Sequence, residues 1–107
     1  MIRVTVHTRK GELVRIIAEG HAHRGPGELS AACGAVSAVL KGLGLSLLDQ
    51  PDCTVEGSVE SEGRYDLTIR ECANGPWLTG TWDLARAVLG EIAREWSRDV
   101  VFTISEE

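Results

Sequence analysis

The sequence has no long hydrophobic run of the kind that crosses a membrane. A membrane-spanning helix needs about 20 consecutive apolar residues, and polar residues interrupt every apolar segment of this chain well before that length. The first ten residues, MIRVTVHTRK, alternate apolar and polar side chains. They do not show the basic region followed by an apolar block that marks a secretion signal. These two absences predict a cytoplasmic protein that does not bind a membrane.

Positive charge is also scarce. Eleven lysine and arginine residues stand against sixteen aspartate and glutamate residues, and the formal net charge is -5. A chain of this charge repels the phosphate backbone of nucleic acids. The sequence therefore argues against direct nucleic-acid binding and favours a basic partner protein.

Only three cysteines are present, Cys33, Cys53 and Cys72, and no two of them form a CxxC pair. An odd count without a secretion signal is not typical of a disulfide framework. Strand alternation, in the absence of a bulge, places the side chains of Cys53 and Cys72 on opposite faces of a predicted hairpin. We therefore expect both to be small, at least half-buried hydrophobic residues rather than a bridge.

The chain of 107 residues, with 43% apolar and 25% charged residues, fits one globular domain that spans residues 1–107. Alternation of apolar and polar residues predicts a first hairpin with its turn at Lys10-Gly11. The same pattern predicts a second hairpin, with a turn at residues 61–63 and a possible bulge at Gly57. A short strand, VVFTIS, lies near the end of the sequence.

Two segments show the three-to-four-residue periodicity of amphipathic helices. The first runs from Ser30 to about Leu48, and its apolar stripe comprises Ala32, Ala35, Val36, Val39, Leu40 and Leu43. The second is capped by Thr81 or Asp83, and its stripe comprises Leu84, Val88, Leu89, Ile92 and Trp96. The preceding stretch ANGPWLTG is predicted as a loop. Trp77 and Trp82 are interpreted as core or loop-anchoring residues, with the alternative that one of them lines a substrate groove. The order strand-strand-helix occurs twice, which predicts an α+β fold with both helices on one face of a single sheet.

The segment GHAHRGPGELSAACGAVSAVL, residues 20–40, contains two of the three histidines and one of the three cysteines. With Ser30 as the N-cap, Cys33 is the third residue of the first helix and lies at the border of the apolar stripe. Ser37 follows one turn later. Unpaired N–H groups and the helix dipole favour a thiolate in this first turn. The pattern therefore indicates a reactive cysteine that faces a cleft.

His21 ends the second predicted strand, twelve residues before Cys33. The glycine-rich stretch between them allows the imidazole to approach the thiol, as nucleophilic thiol chemistry requires. Spacing alone leaves two other interpretations open. Cys33 and His21 are structural residues in one, and in the other His21, His23 and Cys33 are zinc ligands.

The same segment resembles the signature of the bacterial ribosomal-processing cysteine protease family Prp. The matching residues are Gly20, His21 and Ala22 at a strand end, followed by Cys33 and the helix start Gly34 to Ser37. The resemblance is specific in the first forty residues and extends to the order of elements in the rest of the chain. The chain departs from the family pattern at Ser30, where the family usually has an aspartate, and at Glu28, where it has a glycine.

The resemblance implies a cysteine endopeptidase that removes an N-terminal extension from large-subunit ribosomal protein twenty-seven. It implies Cys33 as nucleophile, His21 as general base, and Gly20, Ser30 and Ser37 as supporting residues, with no cofactor and no metal. It also implies a homodimer. A non-catalytic ribosome-associated binding module and a cysteine hydrolase with another substrate remain alternatives, because a fold and a residue pair do not determine the substrate.

Overall fold

The computed structural model describes residues 1–20, 23–25, 28–29, 31–58 and 64–107, with the backbone alone at 23–25 and 28–29. Nine elements follow one another along the chain. They are β1 (Ile2–Arg9), β2 (Glu12–Glu19), β3 (His23–Gly25), β4 (Glu28–Leu29), α1 (Ala31–Asp49), β5 (Cys53–Ser58), β6 (Arg64–Cys72), α2 (Gly75–Glu95) and β7 (Val100–Glu106).

Five strands form one mixed sheet in the order β5-β6-β2-β1-β7, and β3 pairs with β4 separately. The two predicted hairpins are present as the antiparallel pairs β1–β2 and β5–β6, and β7 lies parallel to β1. Lys10 and Gly11 adopt left-handed φ values of 53° and 78°. Two consecutive left-handed residues make the tight turn whose twist matches that of a hairpin. The first predicted turn is therefore confirmed, whereas the second, at residues 61–63, lies outside the described residues.

Both helices cover one face of the sheet, as the order of the predicted elements indicates. Buried apolar residues alternate along the strands, as at Ile2, Val4 and Val6, and they form one cluster with residues of α1 and α2. The buried positions of α1 are Ala32, Val36, Leu40, Leu43, Gly44 and Leu47. Contrary to the expectation from the sequence, α1 is long and apolar enough to cross a membrane by length and mean hydropathy (1.7) alone. In this structure its buried stripe packs in the core.

The prediction for the start of the second helix is wrong. The helix begins at Gly75, within the predicted loop, and Asn74 is its N-cap instead of Thr81 or Asp83. The Asn74 side-chain oxygen accepts a hydrogen bond of 3.2 Å from the Trp77 N–H. Pro76 fits there because the first turn of a helix does not need its N–H groups.

The buried stripe of α2 also differs from the predicted one. Its buried residues are Leu78, Trp82, Ala85, Leu89 and Ile92. Leu84 and Val88 belong to the predicted stripe but are 69% and 37% exposed. Trp82 is a core residue and Trp77 packs against the core, in agreement with the structural interpretation of the two tryptophans.

The prediction that Cys53 and Cys72 stay apart is wrong, because their sulfurs form a disulfide. Thr54 pairs with Glu71 whereas Val55 pairs with Ile69, so Arg70 is an extra residue in β6. This bulge shifts the register by one residue and brings Cys72 opposite Cys53. The bulge therefore lies next to Thr54 and not at Gly57.

The disulfide leads to a test on protein purified without reductant. We expect one thiol in the unfolded chain before reduction and three afterwards. Because the bridge closes a short loop in the unfolded state, its reduction should lower the free energy of unfolding by about 3 kcal/mol. Thiol counting in denaturant and unfolding curves with and without reductant measure both effects.

A Cys53→Ser variant is the matched control for the added reductant. Its unfolding midpoint should not depend on reductant, because the bridge is already absent. Three thiols in the unreduced wild-type chain would contradict the disulfide.

Candidate active site

A groove of about 620 Å³ opens between α1 and the neighbouring strands of the sheet. Its described lining is mainly apolar and includes residues of β2, α1, β5 and β6. The lining residues are Ile2, Ala18, Glu19, Gly20, Cys33, Val36, Ser37, Leu40, Lys41, Gly44, Leu45, Leu48, Val55, Gly57, Arg64, Tyr65 and Leu67. Three of the five predicted site residues, Gly20, Cys33 and Ser37, therefore line the same groove.

Cys33 is the third residue of α1, since the helix begins at Ala31. It is half-buried, between the buried stripe and the exposed face, and it borders the groove. The first turn of a helix carries backbone N–H groups without intrahelical acceptors. The thiol therefore lies beside groups that favour negative charge on sulfur or on a nearby oxygen.

Gly20 follows the last residue of β2, where the chain leaves the sheet. Its φ is +100°, and a Cβ at this position would lie 2.1 Å from the Met1 carbonyl oxygen. Both the left-handed backbone and the close approach of β1 exclude a side chain here. This is a structural reason for the glycine directly before His21.

The other predicted site residues lie outside the described part of the chain. His21 and Ser30 are not described, and of His23 only the backbone in β3 is. The Cys33–His21 pair, the Ser30 cap and the zinc alternative therefore stay predictions. Among the described residues no three His, Cys, Asp or Glu side chains come together as a metal site.

Arginine–carboxylate pairs connect the strands beside the groove. Arg64 hydrogen-bonds to Glu19 and lies 3.6 Å from Asp66. Arg15 donates two hydrogen bonds to Asp66, of 3.1 and 2.7 Å. The hydrogen bond from Arg15 holds the pKa of the Asp66 carboxyl below its usual value. These pairs join β2 to β6 and orient Arg64 at the groove.

Tyr65 is a buried residue of the groove lining. Its hydroxyl donates a hydrogen bond of 3.0 Å to the Leu40 carbonyl oxygen in α1. A Cβ at position 44 would lie 2.9 Å from the same hydroxyl, so Gly44 lets α1 approach the sheet closely. Burial raises the pKa of Tyr65 to about 12, because the phenolate loses its hydration.

The titration of Tyr65 tests this packing directly, because the chain contains one tyrosine. We expect the phenolate absorbance to rise near pH 12 in the folded protein and near pH ~10 in urea. Since the folded pKa is the higher one, the contribution to stability is complete below pH ~10 and is lost as the pH rises through the folded value. Absorbance and circular dichroism at each pH give the measurement, and a folded protein that titrates at the ordinary value would contradict it.

The sequence predicts Gly20, Cys33 and Ser37 as site residues but does not indicate the other side chains that line the groove. Lys41 and Leu48 follow Ser37 on the same side of α1, so their spacing was a usable signal. Val55 and Tyr65 reach the groove only because β5 and β6 pack beside α1, which no local pattern indicates.

The fold is similar to those of solved proteases. It superposes on the essential ribosomal processing protease Prp from S. aureus in complex with a covalently linked product peptide, with a TM-score of 0.85, 19% identity and coverage of 98% of this chain and 100% of that chain. The same protease with a substrate peptide gives a TM-score of 0.81 at 17% identity, with coverage of 98% and 100%. SMU.848 from Streptococcus mutans is 25% identical, with a TM-score of 0.81 and coverage of 100% and 96%.

A search of curated protein sequences gives no match. The model of the cysteine protease Prp family, in contrast, matches residues 1–98 of the 107. This match supports the resemblance seen in residues 20–40 and assigns the chain to a class of hydrolases. The chain therefore belongs to the cysteine protease Prp family.

Proposed function

We propose that this cysteine protease is an endopeptidase that removes the N-terminal extension of large-subunit ribosomal protein twenty-seven. One observation carries the proposal: Cys33 lies in the first turn of α1 and borders a groove of about 620 Å³. A groove with a thiol at its wall brings the sulfur beside a bound peptide. The helix N-terminus stabilises the negative charge that the reaction develops.

The proposed mechanism uses Cys33 as nucleophile and His21 as general base. The imidazole of His21 takes the thiol proton, and the sulfur attacks the carbonyl carbon of the scissile bond. The resulting imidazolium protonates the leaving amine as the C–N bond breaks, which leaves the N-terminal segment bound to sulfur as a thioester. Water, deprotonated by His21, then attacks the thioester carbonyl carbon. The C–S bond breaks, the imidazolium returns the proton to the Cys33 sulfur, and the segment leaves as a carboxylic acid that ionises in water. Backbone N–H groups of the first turn of α1 bind the oxyanion in both steps.

The substrate class has independent support. The S. aureus protease of this fold is described as a ribosomal processing protease and has been solved with substrate and product peptides. Gly20 and Cys33 of the present chain line one groove, so the residue before the proposed base lies beside the same groove as the nucleophile. We therefore propose that this chain also acts on a peptide substrate.

Two further properties belong to the proposal. The chain acts in the cytoplasm, where ribosomal proteins are synthesised, and it forms a homodimer as the family resemblance implies. Light scattering of the purified protein measures its mass in solution. A monomer over the working concentration range would contradict the dimer and would leave the peptidase proposal intact.

The peptidase proposal is tested with a peptide that spans the extension and the mature start of the organism's own ribosomal protein twenty-seven. Wild-type protein is expected to cut one bond, and mass spectrometry identifies the two products. An intact peptide, together with a Cys33 that reacts slowly with iodoacetamide at neutral pH, would overturn the proposal. That result would favour a non-catalytic binding module.

A further inference from the structure

The groove contains a lysine that no carboxylate neutralises among the described residues. Of the described lining residues only Glu19, Lys41 and Arg64 are charged. Arg64 forms an ion pair with Glu19 and lies close to Asp66. The ion pairs of the described chain do not include Lys41.

The charge of the described groove lining is opposite in sign to that of the whole chain. Two cations and one carboxylate give the described lining a net charge of +1, whereas the whole chain carries -5. A local cation in a cleft attracts an anionic group even when the molecule as a whole is acidic. The excess positive charge of this described lining belongs to Lys41, because Arg64 and Glu19 balance each other.

The position of Lys41 relates it to the nucleophile. Residues 33, 37 and 41 are spaced by four, so Cys33, Ser37 and Lys41 follow one side of α1, and all three line the groove. Eight residues of helix span about 12 Å. An extended peptide advances about 3.3 Å per residue, so Lys41 is within reach of a substrate residue about three or four positions from the scissile bond.

The neighbours of Lys41 favour an ionic contact. Gly44, Leu45 and Leu48 continue the groove wall beyond the lysine and offer no charge to compete with a ligand. The lysine side chain leans toward the start of its helix, and therefore toward Ser37 and Cys33. A carboxylate on a peptide in this groove would meet the ammonium group beside an apolar wall, where water screens the interaction less than on an open surface.

We propose that Lys41 is a specificity-determining residue that binds an aspartate or glutamate side chain of the substrate, three or four residues from the scissile bond. This inference rests on the proposed function, because it assumes that a peptide occupies the groove beside Cys33. It assigns to the substrate an acidic residue on one side of the cleavage site.

The test measures binding apart from cleavage. In a Cys33→Ala background, fluorescence anisotropy compares peptides with Asp, Asn or Lys three or four residues from the scissile bond, on each side. At low salt we expect the Asp peptide of one series to bind about fivefold more tightly than its Asn counterpart. Adding Lys41→Met to Cys33→Ala should bring the ratio of Asp-peptide to Asn-peptide affinity close to one. High salt should reduce the same ratio in the Cys33→Ala protein.

Lys10→Met is the matched control, since Lys10 is the other lysine of the chain and lies in the β1–β2 turn. The Asp/Asn ratio should be the same with and without this substitution. A ratio that Lys41→Met leaves unchanged, or equal binding of the Asp and Asn peptides at every position, would overturn the inference.

Cleavage by the wild type separates this inference from the proposed function. Peptides that are cut without any dependence on charge contradict the role of Lys41 and support the peptidase. Charge-dependent binding that Lys41→Met abolishes, without cleavage, supports the role of Lys41 and contradicts the peptidase. Peptides that neither bind nor react overturn both.

Discussion

Cys33→Ala is expected to lower kcat/KM for peptide cleavage by at least about four orders of magnitude, since alanine has no nucleophile. Its effect on folding should be small, because Cys33 is half-buried at the edge of the core and not in its centre. The measurement combines the rate of peptide cleavage with a denaturant unfolding curve. A loss of activity at an unchanged unfolding midpoint identifies the residue as catalytic.

His21→Ala tests the second member of the proposed pair. We expect a comparable loss of cleavage, because residues that act as a unit do not contribute additively. The rate of Cys33 alkylation by iodoacetamide at neutral pH should also fall, since the imidazole no longer takes the thiol proton. Each variant has an outcome that contradicts its proposed role. Cleavage by the Cys33→Ala protein at the wild-type rate would mean that another residue is the nucleophile. An unchanged alkylation rate of Cys33 in the His21→Ala protein would mean that His21 is not the general base.

Gly57→Ala is expected to lower the free energy of unfolding by about 2 to 4 kcal/mol. A Cβ at this position would lie 2.2 Å from the Asp66 carbonyl oxygen and 3.0 Å from the Leu67 Cα. Both are backbone atoms of the neighbouring strand, so β5 and β6 would have to separate. Because Gly57 also lines the groove, we expect cleavage to decrease together with stability. Chemical denaturation and the peptide assay measure the two effects.

Gly42→Ala is the matched control for the added methyl group. Gly42 is exposed in α1, and a Cβ there meets nothing within 4 Å. Alanine in an exposed helix position should stabilise the protein by up to about 1 kcal/mol. The two glycine substitutions are therefore expected to change the free energy of unfolding in opposite directions. A Gly57→Ala protein that unfolds at the wild-type midpoint would contradict the close approach of the two strands.

Alternation and helical periodicity predicted the strands and the helix that have one apolar and one polar face. The two hairpins and α1 follow because each strand or helix buries one regular set of side chains, such as Val4 and Val6 in β1. The prediction for the start of α2 failed because proline occurs both in loops and in the first turn of helices. In the sequence Pro76 indicates a loop, but proline also fits the first turn of a helix behind an Asn cap. The misplaced start put Leu84 and Val88 into the core, although both are exposed.

The sequence by itself determined the local part of the site, namely that Cys33 lies in the first turn of a helix at the border of its buried stripe. The spacing of apolar residues within one helix is enough for that conclusion, because it depends on neighbours along the chain. Only the tertiary structure decided the groove, the packing of Tyr65 on α1 and the Cys53–Cys72 bridge. Each of these joins segments that are distant in sequence, and a single extra residue in β6 changes which side chains meet across the strands.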